Sequence, residues 1–455
     1  MNMVLSAQLT DFRQMMELSF NQLVDWLRSH CQSHEAFTLM LSSEHSQFVR
    51  FNGAKVRQTG SVWDGNLRLT LMQDGRSSYQ EFPLTGDDVG DRQQMQSALA
   101  ALRQEILQLP ENPYLVLPTG NHQSRAIYLG ELLPPEDVAA SLLLEVSDLD
   151  FTGLYAGGAM IRAYADSAGQ QHWFVTDAYA LDYSLFTPDG QAVKGTLAGS
   201  HWRQADYLAK LQASRQLLQQ LAQPSRTIDR GAYRTYLAPT AMAELISMLS
   251  WGGVSEASYQ QGGSCFGALR RQQKQLSPQF TLRENFGSGL VPQFNELGEV
   301  APTILPLITA GKLDNLLVSS VTAKEYQVPS NQADQDESLR SPEVMTGNLP
   351  NEQILAALDT GLYISNLHYL NWSDRPVGRI TGMTRYACFW VEKGQIVAPI
   401  ANLRFDDSLY QFWGDNLIAL TDFQEFIPEV STYGNRNLGG MLTPGALIEG
   451  LTYTL

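Results

Sequence analysis

A protein zinc site needs three or four converging donors and a second shell that orients them. The chain has seven histidines (His30, His34, His45, His122, His172, His201 and His368) and three cysteines (Cys31, Cys265 and Cys388). Only His30, Cys31 and His34 lie close together, and they fall where a first helix is ending. They read as surface groups near a helix C-terminus, where the dipole favours them, and no metal is expected there. Gly262-Gly263-Ser264-Cys265 places a hydroxyl and a thiol among small residues. A nucleophile needs an adjacent base, no histidine is near in sequence, and the G-x-S-x-G elbow is missing. A turn with a buried cysteine is the default reading there; a hydrolase using Ser264 or Cys265 is the alternative. No phosphate loop occurs: Asn285-Phe286-Gly287-Ser288-Gly289 is too short and lacks a following helix.

The stretch Thr235–Cys265 organises the rest. A β-branched and aromatic run ends at Pro239, and a helix pattern follows at once. Ala241, Met242, Leu245, Ile246 and Leu249 share one helical face. Thr240 is the expected cap, and Gly252-Gly253 the stop. A helix here can present ligands to a cleft, but this one offers Ser247, Met248, Ser250, Trp251 and Gly252. None is a good zinc ligand, and Met248 cannot act as a base.

The elements around it suggest an α+β protein. Residues 8–31 read as a helix. Strand-like runs follow at Ala36–Ser42, Gln47–Phe51, Lys55–Gly60, Asn66–Gln73 and Ser77–Phe82. Asn52-Gly53, Asp64-Gly65 and Asp74-Gly75 are the expected hairpin turns of an antiparallel meander. A helix is expected at Asp88–Leu109, irregular chain at 111–134, and a short helix at Pro135–Ser147. Strands at Thr152–Ala165 and His172–Ser184 and a helix at Ser200–Ala222 follow. Gln223-Pro224-Ser225 is the linker candidate, which divides the chain into domains 1–223 and 224–455. Beyond Gly231–Leu237, strands are expected at Glu299–Ile304, Leu316–Ser320, Gly361–Leu367, Thr384–Glu392 and Gln395–Pro399. Tyr326–Glu343, with Asp334, Asp336 and Glu337, reads as a mobile surface loop. Tyr363, His368, Tyr369, Trp372, Tyr386, Phe389 and Trp390 crowd one region. A core strand with an aromatic outer face is preferred there over a substrate groove.

Composition narrows the functional classes. The chain has 455 residues, 44% of them hydrophobic, and a formal net charge of −16. Nucleic-acid binders need a basic face, and Arg270, Arg271 and Lys274 make only a small solvated patch. No run of about 18 apolar residues suggests a transmembrane helix. The start, MNMVLSAQLTDFRQMMELSF, reads as an amphipathic helix rather than a signal peptide. Sparse, odd cysteines suggest free thiols in a reducing, cytoplasmic setting.

Several stretches together resemble one family. Residues 47–76 look like a "V-R-x-x-G-x-V … G-x-x-x-R-V … D-G-R" pattern, and residues 290–326 resemble a "T … L-I-x-x-G … L-x-N-x-L-x-x-x-x-T-A" segment. Gly361–Pro399 resembles "G-L-Y-I … W-I-E-x-G-x-I-x-x-P-V", and Ala446–Thr454 resembles "L-I-E-G-L-T-V". The family is the TldD/PmbA (TldE) group of gyrase modulators and metallopeptidases. The resemblance implies two α+β domains, with helices on a mostly antiparallel sheet in the first. The second is a twisted β-rich body around the 240–251 helix. In the catalytic TldD branch this helix carries His-Glu-x-x-x-His; those positions fall here on Ser247, Met248 and Gly252. That branch also uses a cysteine in a glycine-rich stretch near the C-terminus, and residues 430–445 have none. The resemblance therefore implies a PmbA/TldE-like subunit with no catalytic residues, metal or cofactor of its own. It would form a homodimer, or a heterodimer with a TldD-like HExxxH-bearing subunit, and act on peptides bound as extended strands. Neither nucleic acid nor membrane is an expected partner. A stand-alone peptide-binding module is a further alternative.

Overall fold

Phe12, Met16, Phe20, Leu23 and Leu27 recur at three- and four-residue intervals along α1 (Asn2–His30) and are all buried. One helical stripe therefore faces the core. A computed structural model describes residues 2–432 and 435–454. They are 41% strand and 25% helix, an α+β chain.

α1 lies on a seven-stranded sheet. Its strands are β1 (Ala36–Asn52), β2 (Lys55–Gln73), β3 (Arg76–Pro83), β4 (Gln123–Tyr128), β5 (Asp150–Asp166), β6 (Gln171–Phe186) and β7 (Ala192–Gly199). The order is β3-β2-β1-β5-β6-β4, with β7 also on β6. Only β4 runs parallel to its neighbour. Helices cover one face: α1 and α2 (Asp88–Glu105) at one end, α3 (Val138–Leu143) and α4 (Gln204–Leu221) at the other. Phe37, Leu39, Leu41, Val49 and Phe51 alternate onto that face, as the period of two requires.

The meander has three long strands rather than five short ones. Asn52-Gly53 and Asp74-Gly75 turn the chain, with Gly53 and Gly75 at φ +56° and +72°. Asp64-Gly65 does not: it lies inside β2, opposite Glu44 and Ser43. A Cβ on Gly65 would sit 2.7 Å from the Leu84 carbonyl oxygen, so this glycine serves close approach, not reversal. Residues 111–134, expected to be irregular, contribute β4, and β7 was not anticipated.

After α4 the chain enters β8 (Gly231–Leu237) and α5 (Pro239–Ser247). Short helices follow: α6 (Glu256–Gln260), α7 (Gly267–Arg270), α8 (Ser320–Tyr326) and α9 (Ile354–Leu358). A six-stranded sheet holds β9 (Leu282–Asn285), β10 (Ile304–Thr309), β11 (Lys312–Leu313), β12 (Pro342–Val344), β18 (Glu425–Pro428) and β19 (Gly440–Thr443). A seven-stranded one joins β8 to β13 (Gly361–Asp374), β14 (Arg379–Glu392), β15 (Gln395–Pro399), β16 (Arg404–Ser408), β17 (Leu417–Leu420) and β20 (Ala446–Tyr453). One large apolar cluster fills the space around α5.

Two expected strands are absent here. Glu299–Ile304 is mostly loop, because the Asn295 side chain accepts from the amides of Leu297 and Glu299 and turns the chain. Leu316–Ser320 makes one bridge, Ser255 with Leu317; the Ser319 side chain then caps α8. Tyr326–Glu343 is not a mobile surface loop either. Glu337 is 1% exposed. It accepts from Ser255 Oγ at 2.6 Å, Ala257 N at 2.9 Å and Ser319 N at 2.8 Å. One buried carboxylate thus ties α6 and α8 together at their N-termini, where dipoles favour negative charge.

The halves meet across the other face of the first sheet. Tyr164 and Phe174 pack on Phe294. Arg436 donates to Ser46 Oγ and to the Ala178 carbonyl oxygen at 2.9 and 2.8 Å.

Candidate functional site

β8 leads directly into α5. It pairs with β13 on one side and β20 on the other, which fixes where the helix starts. Ala238 is the N-cap, in extended conformation, and Pro239 takes the first turn. The missing amide of proline costs nothing there. Thr240 is not the cap; the start is set by Pro239, whose carbonyl oxygen accepts from Thr443 Oγ1 at 2.9 Å. Ala241, Met242, Leu245, Ile246 and Leu249 are all buried.

The three motif positions do not share one helix. α5 ends at Ser247, a 3-10 turn spans Met248–Ser250, and Gly252 lies beyond it at φ +79°. Ser247 turns its hydroxyl back to the Glu244 carbonyl oxygen at 2.7 Å. Met248 is 2% exposed inside the main apolar cluster. Arg375 donates to the Trp251 carbonyl oxygen at 2.9 Å, and a Cβ on Gly252 would lie 2.9 Å from its guanidinium. Zinc does not fit here: a hydroxyl already engaged, a buried thioether and a glycine supply no ligand set. Among the described residues, no group of three or more His, Cys, Asp or Glu could hold a metal ion.

His30 stacks on Trp26, with Nδ1 on the Trp26 carbonyl oxygen at 2.8 Å. The alternative nucleophiles are also committed elsewhere. Ser264 Oγ donates to the Gly253 carbonyl oxygen at 2.5 Å and accepts from Phe266 N at 3.1 Å. Cys265 is fully buried, and desolvation pushes its thiol far above the ordinary range. A buried thiol held neutral is inert. Among the expected aromatics, Phe389 and Trp390 are buried and Tyr369 is 76% exposed. Tyr386 sits at φ +63° beside a bulge, which breaks the strand's alternation. Arg270, of the small basic patch, pairs with Glu256 and lies over the Tyr259 ring.

Beside α5 a cleft runs between the first sheet and residues 426–432 and 436–442. Its floor is small: Ala156, Ala178, Ala180 and Gly199. A charged recess of about 570 Å³ continues from it, lined by Glu44, Asp182, Lys194 and Arg436. Lys194 holds Asp182 at 2.5 Å. Glu244 is exposed on α5; partial desolvation by the surrounding protein pushes its carboxyl pKa up, Glu429 adds to that, and Lys194 opposes it. Sequence reading passed over Glu244 and Arg436. Arg436 lies in the glycine-rich stretch read only for a missing cysteine, and nothing in its type marked it as a bridge between halves.

Residues 230–454 match the family model of the PmbA/TldA metallopeptidase C-terminal domain. No curated protein matches the chain. The crystal structure of TldE from Thermococcus kodakarensis is similar to it, with a TM-score of 0.76 and 13% identity, covering 96% of this chain and 100% of that one. A proposed modulator of DNA gyrase from Thermotoga maritima gives 0.73 and 13%, with the same coverage. Another from Bacteroides thetaiotaomicron gives 0.74 and 15%, covering 95% of this chain and 98% of that one. At such identities these structures share the fold.

Proposed function

We propose, from the premise that this chain belongs through its C-terminal half to the TldD/PmbA family, that it is a non-catalytic, PmbA/TldE-like subunit of a peptidase. It pairs with a TldD-like chain that carries HExxxH, and the two act on peptides in the cytoplasm. One observation carries this reading: the motif positions hold Ser247, Met248 and Gly252, with Met248 packed in the core. A zinc-bound water has nothing to hold it there and no base to take its proton. The subunit's contribution would then be shape: one wall of a peptide cleft, or an interface that fixes its partner's geometry. Such interfaces bury about 1,600 Å² or more.

The test is to mix the chain with an HExxxH-bearing relative from the same cell. Size measurement should give a mixed dimer, and peptide cleavage should require both chains. If this chain stays monomeric at micromolar concentration, and the relative cleaves equally well alone, the subunit reading fails and a stand-alone peptide-binding module replaces it.

A further inference from the structure

The helical layer on the first sheet has a gap between α1 and the loop before α3. A cavity of about 1020 Å³ opens there. Three rings form its wall: Phe12, His45 and Trp63, with centroids 5.3 to 5.6 Å apart. Trp63 is 59% exposed, so its ring is open to solvent at the cavity. His45 Nδ1 is buried without a partner. Asp11 and Glu136 stand at the rim. Neither is in an ion pair among the described residues, and no lysine or arginine lines the cavity.

The strand beside this cavity has a bare edge. β2 pairs with β1 along its whole length, but with β3 only from Asn66 onward. Residues 55–64 therefore present backbone groups on one side with no strand against them among the described residues, and most of them are exposed. Thr59, Gly60, Ser61 and Trp63, which line the cavity, belong to this stretch. No proline guards it. Such an edge is a template for an added strand, with main-chain bonds giving affinity and flanking pockets giving side-chain choice.

We propose that an extended peptide segment adds to the free edge of β2 at residues 55–64 and places a lysine or arginine side chain in the cavity at Trp63. A cation there stacks on the electron-rich face of the exposed Trp63 ring, and Asp11 and Glu136 complement its charge. The apolar stem of a long basic side chain suits the rest of the wall. This site is separate from the α5 cleft and does not rest on the subunit reading, since binding is measured on this chain alone.

The probe is a fluorescein-labelled peptide alternating Arg and Val, titrated into the full chain and followed by anisotropy. A Glu-Val peptide of equal length and an Arg-Val peptide N-methylated at alternate amides are the comparisons. The Arg-Val peptide should bind, and both comparisons should bind at least about tenfold more weakly. Trp63→Leu, and Asp11→Asn combined with Glu136→Gln, should each weaken the Arg-Val peptide about tenfold. These are exposed changes, and unaltered melting temperatures check that folding is kept. Glu352→Gln, an exposed acid in the other half, should change nothing. The proposal is overturned if the cavity variants behave like Glu352→Gln, because the attraction is then only the net charge of −16. Equal binding of the N-methylated peptide overturns the strand addition.

Discussion

Two segments of the C-terminal half treat polar groups in opposite ways. The end of α5 is built on apolar packing: Met248 fills the core, and Gly252 beyond it carries no side chain. In 326–343 the interior is built on carboxylates. Glu337 is bonded by two amides and a hydroxyl, and the buried Glu284 accepts from the amides of Arg340 and Ser341 at 3.0 and 2.6 Å. Burial alone therefore does not separate structural from chemical groups. A buried carboxylate whose bonds go to backbone amides holds the chain together. At the end of α5 the interior is held by apolar packing, whereas the loop could not lose its acids without orphaning donors.

The largest expected effect follows from Glu337. Glu337→Ala leaves Ser255 Oγ, Ala257 N and Ser319 N without their acceptor, and should cost about 3–5 kcal/mol by denaturant unfolding. A loss under about 1 kcal/mol would mean that water replaces the carboxylate freely, and the contrast with α5 would collapse.

Met248→Glu comes next. It puts an unpaired carboxylate into the main apolar cluster and should cost about 2–4 kcal/mol, while Met248→Leu stays within about 1.5 kcal/mol. Neither should produce peptidase activity. A Met248→Glu protein as stable as the parent would place position 248 in an open cleft instead.

The smallest effect is a pH dependence. Burial pushes the Glu284 carboxyl from an ordinary 4.5 to about 7, against the stabilising amides of Ser341 and Arg340. The folded state thus holds a proton that the unfolded chain has released between those values. Stability contributed this way is present below pH 4.5 and lost as pH rises toward 7. Glu284→Gln should flatten that slope, by up to about 3 kcal/mol across the window. Parallel curves for parent and variant would show that Glu284 is ionised throughout.

Sequence alone carried the parts that depend on local or periodic rules. The stripe of α1, the turns at Asn52-Gly53 and Asp74-Gly75, the start of β8 and the helix after Pro239 follow from spacing, φ preference and the missing amide of proline. Residue type alone also says that none of Ser247, Met248 and Gly252 is a good zinc ligand. Tertiary structure decided the rest, for one physical reason: a residue's role there depends on partners far away in the chain. Gly65 resembles a turn residue but is a packing gap for Leu84. Glu337 resembles a surface acid but serves two helix starts contributed by Ser255 and Ser319. Cys265 and Ser264 resemble reactive groups until burial and the Gly253 carbonyl are seen. Trp63 and the bare edge of β2 gain meaning only because β3 stops short at Pro83 and α1 leaves a gap.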